Sequence, residues 1–401
     1  MWQEKERDAV IVSFARTPIG KLGGSLSALS AAALGGLAMR EALERAGLQP
    51  DQVDETILGM VVSAGAGQVP SRQAQRLAGI PDDVPSTTIN KVCASGLRAV
   101  VLASQIIRCG DAEVIVAGGM ESMSNEPYLI PKARFGYRMG DDRLYDAMWR
   151  DGLFCPIYDV HMAALAAQSA REYEVSRQEQ DAWAYRSQRR WAEAEAGGFF
   201  EQERFAVAVP QKRGEPRYLE VDEAPRPQTT LEGLAALPPI FDETGTVTAG
   251  NAPGVNDGAG ALVIMSREKA KELGCTPLVT IAAHAEVARD PKELATVPGL
   301  AFRKLLGKTQ LALDEIERLE INEAFAAVPL ISAKATGIPW EWMDEHANQH
   351  GGAVACGHPI GATGARLLAT LTAQMVQEDL HVGAVTLCSG MAQGDAVLLI
   401  R

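Results

Sequence analysis

The sequence predicts an α/β protein made of two similar layered core units, a duplication, with an irregular segment inserted into the first. Short apolar runs alternate with amphipathic helical stretches, as in a wound α/β layer. A series of motifs early in the chain returns in the same order near its end, the mark of an internal repeat. Between the copies, from Met120 to about Pro239, the periodicity gives way to sequence rich in Pro, Gly, Arg and aromatic residues.

In chain order, Ala9–Phe14 reads as a buried strand, Ala31–Ala46 as an amphipathic helix stopped by Gly47, and Thr56–Val62 as a second strand. Ser86–Ile89 is polar and β-branched, an extended segment that leads through Cys93 into a helix over Leu97–Ile107. A strand at Glu113–Ala117 follows, ended by Gly118 and Gly119. Within the insertion, Ser176–Glu195 reads as a polar helix and Gln211–Pro239 is basic and proline-rich. Aromatic residues are too frequent here for a solvated linker. Patterning resumes at Gly260–Met265, and a second unit opens with the strand Leu278–Ala282. Leu48, Asp51, Val53 and Asp54 precede a strand as Leu311, Asp314, Ile316 and Glu317 precede the strand Leu319–Ile321. Gly361–Gly364 then opens a helix, and a strand at Ala384–Leu387 ends in Cys388, Ser389 and Gly390.

A net charge of −13 gives no global field to attract nucleic acid or an anionic membrane, so an anionic ligand needs a local basic patch. The N-terminal segment is charged and lacks the apolar region of a secretory signal. No apolar stretch approaches the roughly 18 residues of a membrane span, and a cytoplasmic protein is expected. Six cysteines, at 93, 109, 155, 275, 356 and 388, show no CxxC or Cys/His spacing. They read as free thiols, and no metal site is expected. The glycine runs do not fit a phosphate-binding P-loop.

The chemistry gathers in four stretches. Asn90–Arg98 places Cys93 where a helix begins, and unpartnered helix-start amides favour a thiolate there, with a lowered pKa. Asn322-Glu323-Ala324-Phe325-Ala326 follows a strand end, where a loop can enter a crevice. Alternatively, Asn322 would cap a helix and Glu323 would be its first-turn acid. Glycines surround His358, and Pro359 holds it on a rigid loop. Cys388 stands at the end of a strand. Two cysteines, a histidine and an asparagine on separate loops suit acyl transfer: nucleophile, base, second acid/base and oxyanion donors.

NKVCASG, the run Gly250–Ala259, NEAFA, GGAVACGHPIGATGAR and the terminal CSG together resemble the thiolases, acyl-CoA C-acyltransferases, across nearly the whole chain. Arg138 through His161-Met162 is similar to the biosynthetic, acetoacetyl-CoA type. The resemblance implies a thiolase-like fold with core domains at 1–120 plus 250–274 and at 275–401. A loop domain at 121–249 would bind CoA and mediate oligomerisation. It implies reversible condensation of two acetyl-CoA to acetoacetyl-CoA and CoA, with CoA thioesters as substrates and no permanently bound cofactor. Cys93 would carry the acetyl group, His358 take its proton, and Cys388 deprotonate the second acetyl-CoA. His358 with a water on Asn322 would form one oxyanion hole, the amides of Cys93 and Gly390 the other.

For CoA, the resemblance places Arg226 over the nucleotide end, with Leu237 and Phe241 along the pantetheine tunnel. Lys212 and Arg213 read as a solvated face. Met162, Ala324 and Phe325 would shorten the acyl pocket, and His161, Ala249, Ala252, Pro253 and Ile360 complete the binding set. A homo-oligomer is implied, a dimer at least, with a tetramer favoured by the segment Pro127–Gly140. The chain departs from the family where Pro253 replaces a serine, Met391-Ala392 replace two glycines, and Ala163 and Leu165 replace Gly and Thr. Two other readings stand beside this one: a broader 3-oxoacyl-CoA or β-ketoadipyl-CoA thiolase, and a thiolase-like acyl-CoA-binding scaffold with weak catalysis.

Overall fold

A computed structural model describes residues 5–242 and 245–401. The first four residues of the charged N-terminal segment lie outside the described residues. Nine strands form the path of the main sheet: β1 (Ala9–Arg16), β2 (Glu55–Gly59), β3 (Ser86–Ile89), β4 (Val114–Ser122), β5 (Asn256–Ser266), β6 (Val279–Ala288), β7 (Arg318–Ile321), β8 (Val382–Ser389) and β9 (Gln393–Ile400). Their order is β7-β8-β9-β6-β1-β5-β4-β2-β3. The first half reads β3-β2-β4-β5-β1. The second repeats it as β7-β8-β9-β6, with a single bridge from Leu319 to Ala347 in the place of β3. The duplication is therefore visible in topology. The halves join where β1 meets β6 antiparallel, Val10 opposite Thr280 and Ile11 opposite Val279.

Helices close both faces. The elements used below are α1 (Ala31–Ala46), α2 (Ser95–Cys109), α3 (Met162–Glu172), α4 (Arg177–Ala196), α5 (Val297–Thr309) and α6 (Thr363–Gln377). Strand alternation sorts the side chains. Val114, Val116 and Val263 pack outward beneath α1, while Ile115, Leu262 and Ile264 face inward. The inward side chains of both halves surround α2 and α6, which pack against one another. On the far side, Leu319, Ala384 and Leu398 lie beneath α5. The result is a helix–sheet–helix–sheet–helix stack.

The glycines expected to end β4 lie inside it. A Cβ on Gly118 would stand 2.1 Å from the Gly260 carbonyl oxygen, and one on Gly119 would stand 2.0 Å from that of Gly361. They are bare for close approach, not for turning. The same holds between the central helices, where a Cβ on Gly364 would stand 2.2 Å from the Leu97 amide nitrogen. β2 stops at Gly59, short of the expected Val62, because the amides of Val61 and Val62 are held by the Glu121 carboxylate. A further strand, β9, completes the second half; it pairs with β8 on one side and β6 on the other. The stretch Val92–Cys109 is apolar and long enough for a membrane span by composition, contrary to the sequence expectation, yet it is the buried α2 segment.

The insertion is tied down by charge and rings. Arg16 of β1, 1% exposed, donates to Glu203 at 2.6 Å and to Asp222 at 2.8 and 3.0 Å. Arg204 reaches the same Asp222, and Trp191 of α4 stacks on Phe200 at 3.9 Å. The polar-looking α4 thus buries one face, with Trp183 and Trp191 in the core.

The glycine contacts make a contrast that can be measured. Gly364→Ala should cost about 3 kcal/mol, because backbone must move. Gly307→Ala in α5, with open space around it, should be neutral or stabilising by up to about 1 kcal/mol. Calorimetric unfolding of both variants checks this, and equal shifts would contradict it.

Candidate active site

The loop before α2 carries Cys93. Val92 is held in the left-handed region at φ +46°. Its amide donates to Asn90 Oδ1 at 2.9 Å, and Ser95 Oγ donates to its carbonyl at 2.6 Å. Such strain persists only when neighbours over-determine it, and here it turns Cys93 into a cavity of about 410 Å³. Cys93, His358, Cys388 and Gly390 all line that cavity. So do His161, Met162, Arg226, Phe241, Ala249, Ala252, Pro253, Ala324, Phe325 and Ile360. Two expected residues stand behind it. Asn322 lies behind His358, and Leu237 packs against Gly250.

His358 is 7% exposed, and its own loop orients it. The backbone amide donates to Asn256 Oδ1 at 2.9 Å, and a Cβ on Gly357 would overlap that same side chain. Nδ1 lies 2.6 Å from Thr363 Oγ1, on the first turn of α6, and Thr363 in turn donates to the Pro359 carbonyl at 2.9 Å. A hydroxyl has one proton, so Thr363 must accept from Nδ1–H. Nε2 is then the bare nitrogen, 3.5 Å from Asn322 Nδ2. Burial, with the charge of Arg366 second, pushes the imidazole down to about 3. It rests neutral, as a base must.

The thiols differ from the sequence expectation. Burial pushes Cys93 up to about 12, opposed by hydrogen bonds from the amides of Gly390 and Cys93 itself. The helix start does not lower it, because the amides of Ala94 and Ser95 are spent on the carbonyls of Lys91 and Val92. Cys388 is raised by burial first and by the nearness of Cys93 second. Asn322 and Glu323 cap no helix. The Asn322 amide donates to the Thr386 carbonyl at 3.0 Å, while its buried Oδ1 accepts nothing from the described residues. Glu323 is fully buried and accepts from Trp183, Ser187, Asn348 and Val354, tying α4 to the second half.

Sequence reading missed several neighbours. Thr363 lay within the quoted glycine-rich stretch, five residues past the histidine on the same helix start. Glu121 lay at the strand end beyond Gly118-Gly119; it accepts from Val61, Val62 and Gly361 and so joins the walls on either side of the site. Trp149, on a π-helical turn at Met148–Leu153, lies tilted against His161 at 4.6 Å, and Phe241 stacks on His161 at 3.8 Å. Nothing periodic marked that segment. Arg226 is exposed at the cavity mouth. Arg217, in the same basic stretch of the insertion, lines a separate surface depression with Ser25 and Leu219.

Two measurements follow from this geometry. Thr363→Val removes the partner that holds the tautomer and should lower kcat on the order of 10–100-fold with little change in KM. Steady-state kinetics would show it, and an unchanged kcat would sink the tautomer assignment. A thiol with a pKa near 12 gains thiolate steadily as pH rises. Iodoacetamide labelling of resting Cys93 should therefore climb through about pH 10 without the inflection of an ordinary thiol near 8.5.

Comparison with known proteins places nearly the whole chain in one family. The thiolase N-terminal domain model matches residues 9–268 and the thiolase C-terminal domain model residues 275–401. An acetyl-CoA acetyltransferase of Cupriavidus necator is 46% identical over 394 residues, covering 98% of this chain and 99% of that protein. One of Pseudomonas aeruginosa is 47% identical over 395 residues, covering 98% and 100%. The crystal structure of the Bacillus anthracis acetyl-CoA acetyltransferase superposes with a TM-score of 0.94 at 37% identity, covering 98% of each chain. The chain belongs to the thiolase family.

Proposed function

We propose that this thiolase is an acetyl-CoA C-acetyltransferase, condensing two acetyl-CoA to acetoacetyl-CoA and CoA and running thiolysis in reverse. The names of its full-length relatives support the reading. The observation that carries it is the meeting of Cys93, bare His358 Nε2, Cys388 and the Gly390 amide on one cavity.

In the first half-reaction Cys93 attacks the acetyl thioester as His358 Nε2 takes its proton. The oxyanion develops beside the amides of Cys93 and Gly390, which already point at this sulfur. Preorganised donors of this kind contribute about 3–4 kcal/mol each. CoA departs as a thiolate and takes its proton from Cys388, a thiol kept protonated by burial. That leaves Cys388 as thiolate beside imidazolium, ready to take a methyl proton from the second acetyl-CoA. His358 Nε2–H, with a water accepted by Asn322 Oδ1, then stabilises the enolate. The enolate attacks acetyl-Cys93, and the released Cys93 thiolate recovers the proton from His358. Protons balance over the cycle.

CoA thioesters enter along the wall formed by His161, Phe241, Ala249 and Ala252, with Arg226 at the mouth, and no resident cofactor is required. A cytoplasmic homotetramer fits the exposed apolar side chains of the loop domain. Phe135 is 90% and Met139 98% exposed, with Tyr128, Ile130 and Leu144 nearby in sequence.

The test is acetoacetyl-CoA thiolysis by purified protein, followed by its cysteine variants. Cys93→Ser should lose both turnover and covalent acetyl labelling. Cys388→Ser should lose condensation while acetyl-CoA still labels Cys93. Wild-type turnover in Cys93→Ser, or equal loss of labelling in both, would overturn the assignment.

A further inference from the structure

Two strained turns, one from each half of the duplication, meet beside the nucleophile. The first holds Val92, ahead of Cys93; the second joins β8 to β9 through Gly390, Met391 and Ala392. Met391 at φ +63° and Ala392 at φ +48° are left-handed, a region costly for any residue with a side chain. The turns touch directly, since a Cβ on Gly390 would stand 3.1 Å from Val92 Cγ1. Gly390 also supplies one of the two amides aimed at the Cys93 sulfur. If either turn relaxed, that amide would leave the place where the oxyanion forms.

Lys91 ties one turn to the other. Its amide donates to Ser95 Oγ at 2.8 Å and its carbonyl accepts from the Ala94 amide at 3.1 Å, which fixes it in the Cys93 loop. The same carbonyl accepts from Ser389 Oγ, next to Gly390. Its ammonium reaches across to the other half, 2.7 Å from Asp395 on β9 and 2.7 Å from Glu286 on β6. Asp395 lies opposite Leu387 in the β8–β9 ladder, and Leu387 directly precedes Cys388. The Lys91 and Asp395 side chains are only 15% and 3% exposed, so water screens this pair far less than a surface one. Glu286 has a second cation in Arg98, whereas among the described residues Asp395 forms its ion pair with Lys91 alone.

We propose that Lys91 is a positioning residue of the acyl-transfer site, its ammonium holding the two strained turns together so that the Gly390 amide stays on the Cys93 sulfur. The proposal rests on the thiolase reaction assigned above and adds a residue to it. Lys91 is absent from the cavity lining and touches no reacting atom. No bond or proton of the reaction passes through it. It acts only on the steps that place negative charge beside the Gly390 amide.

The experiment measures acetoacetyl-CoA thiolysis by purified Lys91 variants, with calorimetric unfolding of each to give the folded fraction at the assay temperature. Lys91→Met keeps the aliphatic stem and removes the charge. Its kcat should fall about 100-fold with KM little changed, as when one oxyanion donor is lost. Lys91→Arg can span the same two carboxylates and should stay within about tenfold of the wild type. Lys91→Met combined with Asp395→Asn leaves no unpaired acid behind and should remain as slow as Lys91→Met alone. Met391→Gly with Ala392→Gly removes the strain, and in that background the loss caused by Lys91→Met should shrink to about tenfold. Wild-type kcat in Lys91→Met, or a fall no larger than its loss of folded fraction, would overturn the proposal. So would recovery on adding Asp395→Asn, because the stranded acid would then be the whole cause. A loss of undiminished size in the glycine background would break the link to turn strain. Failure of the wild type to cleave acetoacetyl-CoA would instead bring down the reaction itself, and the role of Lys91 with it.

Discussion

Backbone packed on backbone, at glycines that carry no side chain, sets the geometry on which the rest depends. Gly96 and Gly364 let α2 and α6 touch at their starts, and Gly119 lets β4 lie against the Gly361 carbonyl. Cys93 stands just before one helix and His358 just before the other. Their distance is therefore set by the closeness of two helix starts from opposite halves of a duplicated fold. A methyl group at these contacts would separate the halves by more than a hydrogen bond tolerates.

Around that contact the site holds its reacting groups neutral. Low-dielectric surroundings disfavour charge, which pushes both thiols up and the imidazole down. The usual expectation of a preformed thiolate fails here because the helix-start amides are already bonded. Reactivity comes from protons exchanged in sequence between groups in one cavity. The amides that receive the oxyanion and the bare Nε2 are in place before substrate arrives. Arg16, buried between Glu203 and Asp222, is paired with both and fastens the insertion to β1.

Much was legible in the sequence. The strands and helices that periodicity placed lay close to their expected positions, and α1 spans the expected Ala31–Ala46 with Gly47 in the left-handed cap, but α5 at Val297–Thr309 was not anticipated. Glycine was misread where it serves contact instead of turning, since local sequence carries no information about what lies across a sheet. β9 was not read from the sequence, its first half being the polar and glycine run Gln393-Gly394-Asp395. In the insertion, partners 187 and 206 positions apart hold Arg16, and no pattern along the chain announces such pairs.

By itself the sequence determined which residues could do chemistry: a cysteine at a bend before a helix, a histidine stiffened by Pro359 among glycines, a second cysteine at a strand end, an asparagine after a strand. Residue type and neighbours along the chain suffice for that, because they set local conformation and intrinsic reactivity. Only the tertiary structure decided the tautomer of His358, the neutral state of the thiols and the place of Leu237 outside the cavity wall. Each of these depends on burial and on atoms brought close from distant segments, and a linear pattern does not specify either.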